Sequence, residues 1–203
     1  MSTLVCGAST VYKARVRIAI RGKVNKPTLH RKGNKPTLLC AFVASLALGC
    51  GGGGGELRDS VYRDHESLYE IGPTGSDWRR LRVDDDNDLA WQSHRHGAVM
   101  QINSTCDPTS DVPLFSLTNH LLVGFTARDI REQTLVPLDG REALRTHVVA
   151  NLDGVPRELL LYVLKKDDCV YDMALIAPEG DSFTGALAEF EPFAHGFTTT
   201  VSR

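Results

Sequence analysis

The chain has 203 residues, enough for one domain with extra segments, and its net charge of −2 hides a sharp division. Residues 1–55 hold nine Lys/Arg and no acid, whereas 56–203 hold all 25 acids against 14 Lys/Arg, a net −11. So acidic a body argues against nucleic-acid binding, because a phosphate backbone attracts the opposite sign.

The basic leader runs into an apolar stretch at 38–48, preceded by His30-Arg31-Lys32-Gly33-Asn34-Lys35. Eleven residues are too few to cross a bilayer, which takes about 20, but they suit the apolar region of a signal peptide. Leu46-Ala47-Leu48-Gly49-Cys50 follows, then five glycines. This resembles the bacterial lipoprotein box, in which a small residue precedes the lipid-accepting cysteine; here Leu stands one place further from the cysteine than in the common form. The resemblance implies cleavage before Cys50, acylation of Cys50, and a membrane anchor in the cell envelope with the domain in the periplasm. Gly51 is not the Asp that retains some lipoproteins at the inner membrane, so the outer membrane is the expected address. The alternatives are an unlipidated secretory signal or a cytosolic N-terminal extension. At 49 residues the leader is longer than the usual ~15–30, and Asn-Lys-Pro-Thr-Leu occurs twice, at 25–29 and 34–38. An over-extended gene start would account for both. The expected organisation is a leader at 1–49, a lipid-accepting cysteine and Gly-rich flexible tether at 50–66, and one domain at 67–203.

In the body, short strands are expected at 68–71, 78–83, 89–93 and 98–103, divided by GPTGSD, DDDND and a His-Arg-His-Gly turn. Asp111 is placed to cap a helix with Pro113 in its first turn, and Leu114, Leu117, Leu121, Leu122 and Phe125 recur at helical spacing. Two Asp-Gly pairs, Asp139-Gly140 and Asp153-Gly154, supply the backbone angles of tight hairpins. They divide extended runs at 130–138, 142–152 and 155–164, and the polar KKDD turn leads to a fourth at 169–177. The result is a four-stranded antiparallel meander. A second helix opens at Asp181-Ser182, with Phe183, Leu187, Phe190 and Phe197 giving one apolar side and Pro192 expected to end or kink it. Helices covering an antiparallel sheet make an α+β fold.

The element order resembles the PsbP-like fold of photosystem-associated lumenal proteins and a Ran-binding relative, over residues 67–198. Trp78 followed by Leu89-Ala90-Trp91, the helix from Leu114 and the final Phe-rich helix carry the likeness. It implies an α/β/α sandwich that docks onto a larger complex without catalysis, and it brings no active site with it.

Cys106 and Cys169 are the cysteines left in the body after Cys50. In an oxidising compartment they are expected to pair, the alternative being two buried thiols. His94 and His96 would share a face on a strand and could begin a metal site, while a solvated hairpin turn is the plainer reading. Asp84, Asp86 and Asp88 have the spacing that opens a calcium loop, but Leu89 replaces the required glycine and Arg95 the twelfth-place Glu, leaving an acidic turn or a loose surface site. No nucleophile elbow, phosphate loop or zinc-protease motif occurs in the body, so no catalytic residue or cofactor is assigned. The sequence therefore leads to a lipid-anchored accessory subunit of an envelope complex, a transporter among the candidates, with an unidentified protein partner. The alternative is a periplasmic binder of a small ligand or metal.

Overall fold

Four two-residue turns at which the backbone takes positive φ set the register of the body: Asp59-Ser60, Asp139-Gly140, Asp153-Gly154 and Asp167-Asp168. Each closes a hairpin, the flanking pairs being Arg58↔Val61, Leu138↔Arg141, Leu152↔Val155 and Lys166↔Cys169. Such turns follow the twist of the strands they join, and Asp tolerates the left-handed conformation better than most residues.

The computed structural model describes residues 55–83, 87–107 and 111–200. The leader, Cys50 and most of the glycine tract lie outside the described residues, as do Asp84 and Asp86. Two strands not anticipated from sequence, β1 (Glu56–Arg58) and β2 (Val61–Arg63), fall inside the stretch expected to be tether and pair with β3 (Leu68–Glu70) in a small antiparallel sheet. Tyr62 on β2 and Tyr69 on β3 stack at 4.9 Å, and Tyr69 also packs on Tyr171 and Phe197, which anchors this sheet to the main core.

The remaining strands are β4 (Trp78–Arg80), β5 (Leu89–Ser93), β6 (Ala98–Cys106), β7 (Phe125–Leu138), β8 (Arg141–Leu152), β9 (Val155–Lys166) and β10 (Cys169–Ala177). They form one antiparallel sheet in the order β4-β5-β6-β10-β9-β8-β7. The expected meander is thus four strands of seven. The reason lies in β10, which is buried at every position. A strand with no exposed side needs a neighbour on each edge and a cover on each face, and β6 supplies the second edge.

Two helices provide cover. Helix α2 (Asp181–His195) packs Phe183, Ala186, Phe190 and Phe193 against Leu160, Tyr162, Met173 and Leu175. Helix α1 (Leu114–Leu121) buries Leu117 and Leu121 on the other side, over β8 and β9 where Val148, Leu159 and Leu161 point. Two expectations about α1 and one about the end of α2 need correction. Pro113, not Asp111, stands at the start of α1, no side chain caps it, and Asp111 instead pairs with Lys165 Nζ at 2.9 Å. The helix ends at Leu121, and Phe125 opens β7. Pro192 lies inside α2, which continues through it to His195. Just there Gly72 donates its N–H to the Phe193 carbonyl at 3.1 Å, and a Cβ on Gly72 would strike the Pro192 carbonyl. The chain beyond α2 then bridges to β3 through Glu70 and Thr198.

Cys106 and Cys169 form a disulfide. They stand opposite each other in the β6–β10 register, with Cα atoms 3.9 Å apart, at the end of the sheet where β10 begins. Replacing both by Ser is expected to lower the unfolding free energy by about 4 kcal/mol, from the loop entropy the bond removes. Denaturant titration checks the value, and peptide mapping without reductant should recover the linked pair. Asp168→Gly is expected to raise stability by about 1 kcal/mol, because Asp168 holds φ +60° without the freedom of glycine.

Candidate functional site

The sequence-predicted histidines fall on the β5–β6 hairpin turn and part from each other. His94 is exposed. His96 turns onto α2, where its Nε2 lies 3.3 Å from Glu189 Oε1, and Glu189 Oε2 accepts the Trp78 Nε1–H at 2.9 Å. The ring sits directly over Gly185, where a Cβ would collide with it. Ser93 Oγ accepts the His96 N–H and donates to Asp77 at 2.6 Å, which fixes the turn. His96 thus serves as a strap between hairpin and helix. Among the described residues no group of three or more His, Cys, Asp or Glu side chains gathers to hold a metal.

Asp88, the described member of the acidic loop, faces inward. Its Oδ2 accepts Tyr69 OH at 3.0 Å and Ser104 Oγ at 2.6 Å, and Ser104 meets Ser67, which donates to Asp64. Burial pushes the Asp88 carboxyl above the usual range, against the pull of these hydroxyl bonds. At Asp64 the order reverses: burial pushes the carboxyl up, but the N–H groups of Ser67 and Glu66 outweigh it and hold it below the ordinary value. Burial, then the charge of Asp88, drives the Tyr69 phenol well up. On the other side of the strand pair, Asn103 accepts the Asp88 N–H and donates to buried Asp172 at 2.9 Å. The network binds the small sheet to β5 and β6.

A third cluster lies along the other flank of α2. The Arg145 guanidinium donates to Tyr162 OH at 3.2 Å, to Glu132 at 2.8 Å and to Glu191 at 3.2 Å, so one side chain of β8 links β7, β9 and α2. Tyr162 OH donates to Glu191 at 2.7 Å, and burial followed by that carboxylate pushes its phenol up to about 12. Two residues along β8, His147 stacks on Phe183 with centroids 5.1 Å apart and bonds Glu158, whose other oxygen accepts the N–H of Gly180 where α2 begins. Apart from Phe183, none of these residues was singled out in the sequence. The only trace was parity along β8, which puts Arg145 and His147 on the face opposite Leu144, Thr146 and Val148.

Asp139 closes the set. From the β7–β8 turn it accepts Lys166 Nζ at 2.8 Å, Thr198 Oγ1 at 2.9 Å and the Thr199 N–H at 2.8 Å. Burial pushes its carboxyl up, but these donors outweigh it and hold it below the usual carboxylate range.

These clusters each hold one element on another. A different kind of surface lies on the α1 side of the sheet. Phe115, Val123, Ile130, Leu135 and Val155 are large apolar side chains left between 45% and 64% exposed. Ile130 and Leu135 stand opposite Val148 and Leu144, and Val155 opposite Leu152, all on the face that α1 covers. With eight residues α1 is only about 12 Å long and lies over β8 and β9, so the terminal strand β7 stays bare.

The chain matches no protein-family model and no curated protein. Solved structures share its fold. The solution structure of cyanobacterial PsbP (CyanoP) from Synechocystis superposes with a TM-score of 0.50 at 16% identity, over 73% of this chain and 94% of that one. LpqN of Mycobacterium tuberculosis, described as involved in cell envelope biogenesis, aligns over 66% of this chain and 85% of its own at 15% identity, with a TM-score of 0.47. The likeness to CyanoP is one of fold: an antiparallel sheet with two helices.

Asp139 supplies a pH test. A carboxyl held below its unfolded pKa adds stability that is fully present above about pH 4 and is lost as pH falls through the folded value. Asp139→Asn keeps the left-handed turn but removes the charge. It is expected to cost about 1–3 kcal/mol at pH 7 and to flatten the loss of stability below pH 4, as measured by urea unfolding across pH.

Proposed function

We propose that the chain is a lipid-anchored cell-envelope protein whose domain acts by binding, as an accessory subunit of a membrane-associated complex. The address rests on Leu46–Cys50, the apolar run before it and the glycines after it. Acyl chains on Cys50 would hold the protein at the membrane, each buried CH₂ contributing about 0.8 kcal/mol. A Gly-rich tether would let the domain search a short radius, where an effective concentration near the millimolar range takes the place of high intrinsic affinity.

The single observation that carries the binding half is the distribution of side chains. The described titratable clusters are engaged in tying helix to sheet and sheet to sheet. The exposed large apolar groups gather along α1, β7 and the β8–β9 turn, on one side of the sheet. Exposed apolar side chains grouped in this way mark interaction surfaces more often than scattered ones do. The fitting partner presents an apolar ridge of its own, and the polar groups around the strip set its orientation.

Affinity capture of a C-terminally tagged copy from detergent-solubilised membranes tests both halves. The bait is expected to begin at acylated Cys50 and to bring down one stoichiometric membrane partner, and Phe115→Asp with Leu135→Asp is expected to reduce that recovery at least about tenfold. A lipidated bait that elutes alone would remove the accessory role. A soluble bait with unmodified Cys50 would remove the address.

A further inference from the structure

The terminal strand carries a charge pattern that reads as its own complement. Along β7 the residues Arg128-Asp129-Ile130-Arg131-Glu132 run plus, minus, apolar, plus, minus. Turned end for end about Ile130, the same five residues run minus, plus, apolar, minus, plus. An antiparallel copy of this strand would set Asp129 opposite Arg131, Arg131 opposite Asp129 and Ile130 opposite itself.

The structure makes these groups accessible. β7 ends the seven-stranded order, so among the described residues no strand lies against the backbone groups on its side away from β8. Every residue from Thr126 to Glu132 is exposed. Ile130 is 45% exposed although it shares the face with buried Val148. Asp129 and Arg131 lie 3.1 Å apart on the strand, both more than half exposed. Their outer charge is free to meet a second pair of the same kind, and the four groups would then alternate in sign around a twofold axis. The outer members of the pattern are held more closely: Arg128 donates to the Leu122 and Phe125 carbonyls, and Glu132 accepts Arg145.

The same strand also limits what can pair with it. Register shifts between Thr126/Asp129 and Ile130/Glu132 mark bulges on both sides of Ile130, with Ala127 at φ +48°. Further on, Pro137 lacks an N–H. Bulges and edge prolines are devices that prevent an open-ended ladder. A short contact centred on Ile130 satisfies this limit. It is isologous, so it closes after two copies and cannot grow.

We infer that the Asp129–Ile130–Arg131 segment of β7 is a self-association surface, at which a second copy of this chain pairs antiparallel across a twofold axis at Ile130. This goes beyond the accessory role: Phe115, Val123, Leu135 and Val155 stay outside the five-residue contact.

Charge exchange tests it. The purified full chain, Asp129→Arg, Arg131→Asp and an equimolar mixture of the two variants are compared by sedimentation velocity across a concentration series. The native chain is expected to form a dimer that weakens as salt rises. Each variant alone places like charges across the axis and is expected to dimerise at least about tenfold more weakly. The mixture restores opposite charges at every facing position and is expected to recover native dimerisation. Since both side chains are exposed and pair chiefly with each other, thermal unfolding should change little, which separates loss of contact from loss of fold. A native chain that is monomeric throughout would overturn the inference. So would variants that dimerise as the native chain does, or a mixture that fails to recover. Failure of any of these leaves the partner test by capture unaffected, because that test reads Phe115 and Leu135.

Discussion

Complete burial of β10 is the constraint on which the rest of the structure depends. Nine consecutive residues with no exposed member require a strand on each edge and an apolar layer on each face. The requirement places β6 and β9 beside it. It puts α2 over Met173 and Leu175, sets Tyr69 and Phe197 on Tyr171, and leaves the opposite face, with Asp172, Ala174 and Ile176, to be closed as well. The disulfide crosses from β10 to β6 at the end of this strand, where the two chains already stand in register. It therefore locks a pairing that burial alone makes favourable, and its contribution comes from the unfolded chain it shortens.

Polar groups in this molecule act where layers meet. Glu189 joins His96 and Trp78 across one flank of α2, and Arg145 joins Tyr162, Glu191 and Glu132 across the other. Asp88 and Asp64 fasten the three-stranded sheet, and Asp139 fastens the chain end that bridges to it. Partly buried carboxylates of this kind repay their desolvation only when several donors converge, and four donors do so at Asp139. The acidic balance of the body is thus partly structural. Three Asp side chains that look like surface charge in sequence are anchors between elements.

One surface takes no part in these anchors. A short helix leaves one terminal strand uncovered, and that strand carries both exposed apolar groups and a self-complementary run of charges. The bulges around Ile130 keep the edge from pairing without limit, so recognition there depends on side chains as well as on the backbone ladder.

Much of the fold was legible because its signals are local. Asp-Gly at 139–140 and 153–154, the alternation from Leu144 to Leu152 and the capless apolar run at 169–177 depend only on near neighbours, and all four long strands stand close to where they were expected. β5 and β10 have the expected bounds. The strands at 56–63 were missed because three-residue strands beside glycines have no periodicity of their own; Tyr62 stays in place through Tyr69 and Asp64. The start of α1 was misassigned because Asp111 had two uses open to it, and Lys165, 54 residues away, claims it. The pairing of Cys106 with Cys169 could be expected from their number and compartment, but only the β6–β10 register brings them face to face. By itself, then, the sequence determined the class of fold, the meander and the two helices, all set by local pattern and composition. The tertiary structure alone decided that, among the described residues, the sheet has seven strands, that His94 and His96 diverge, that Arg145 and Asp139 are hubs, and that β7 stands at an open edge. Each of these depends on which distant elements meet, and no short stretch of sequence encodes that.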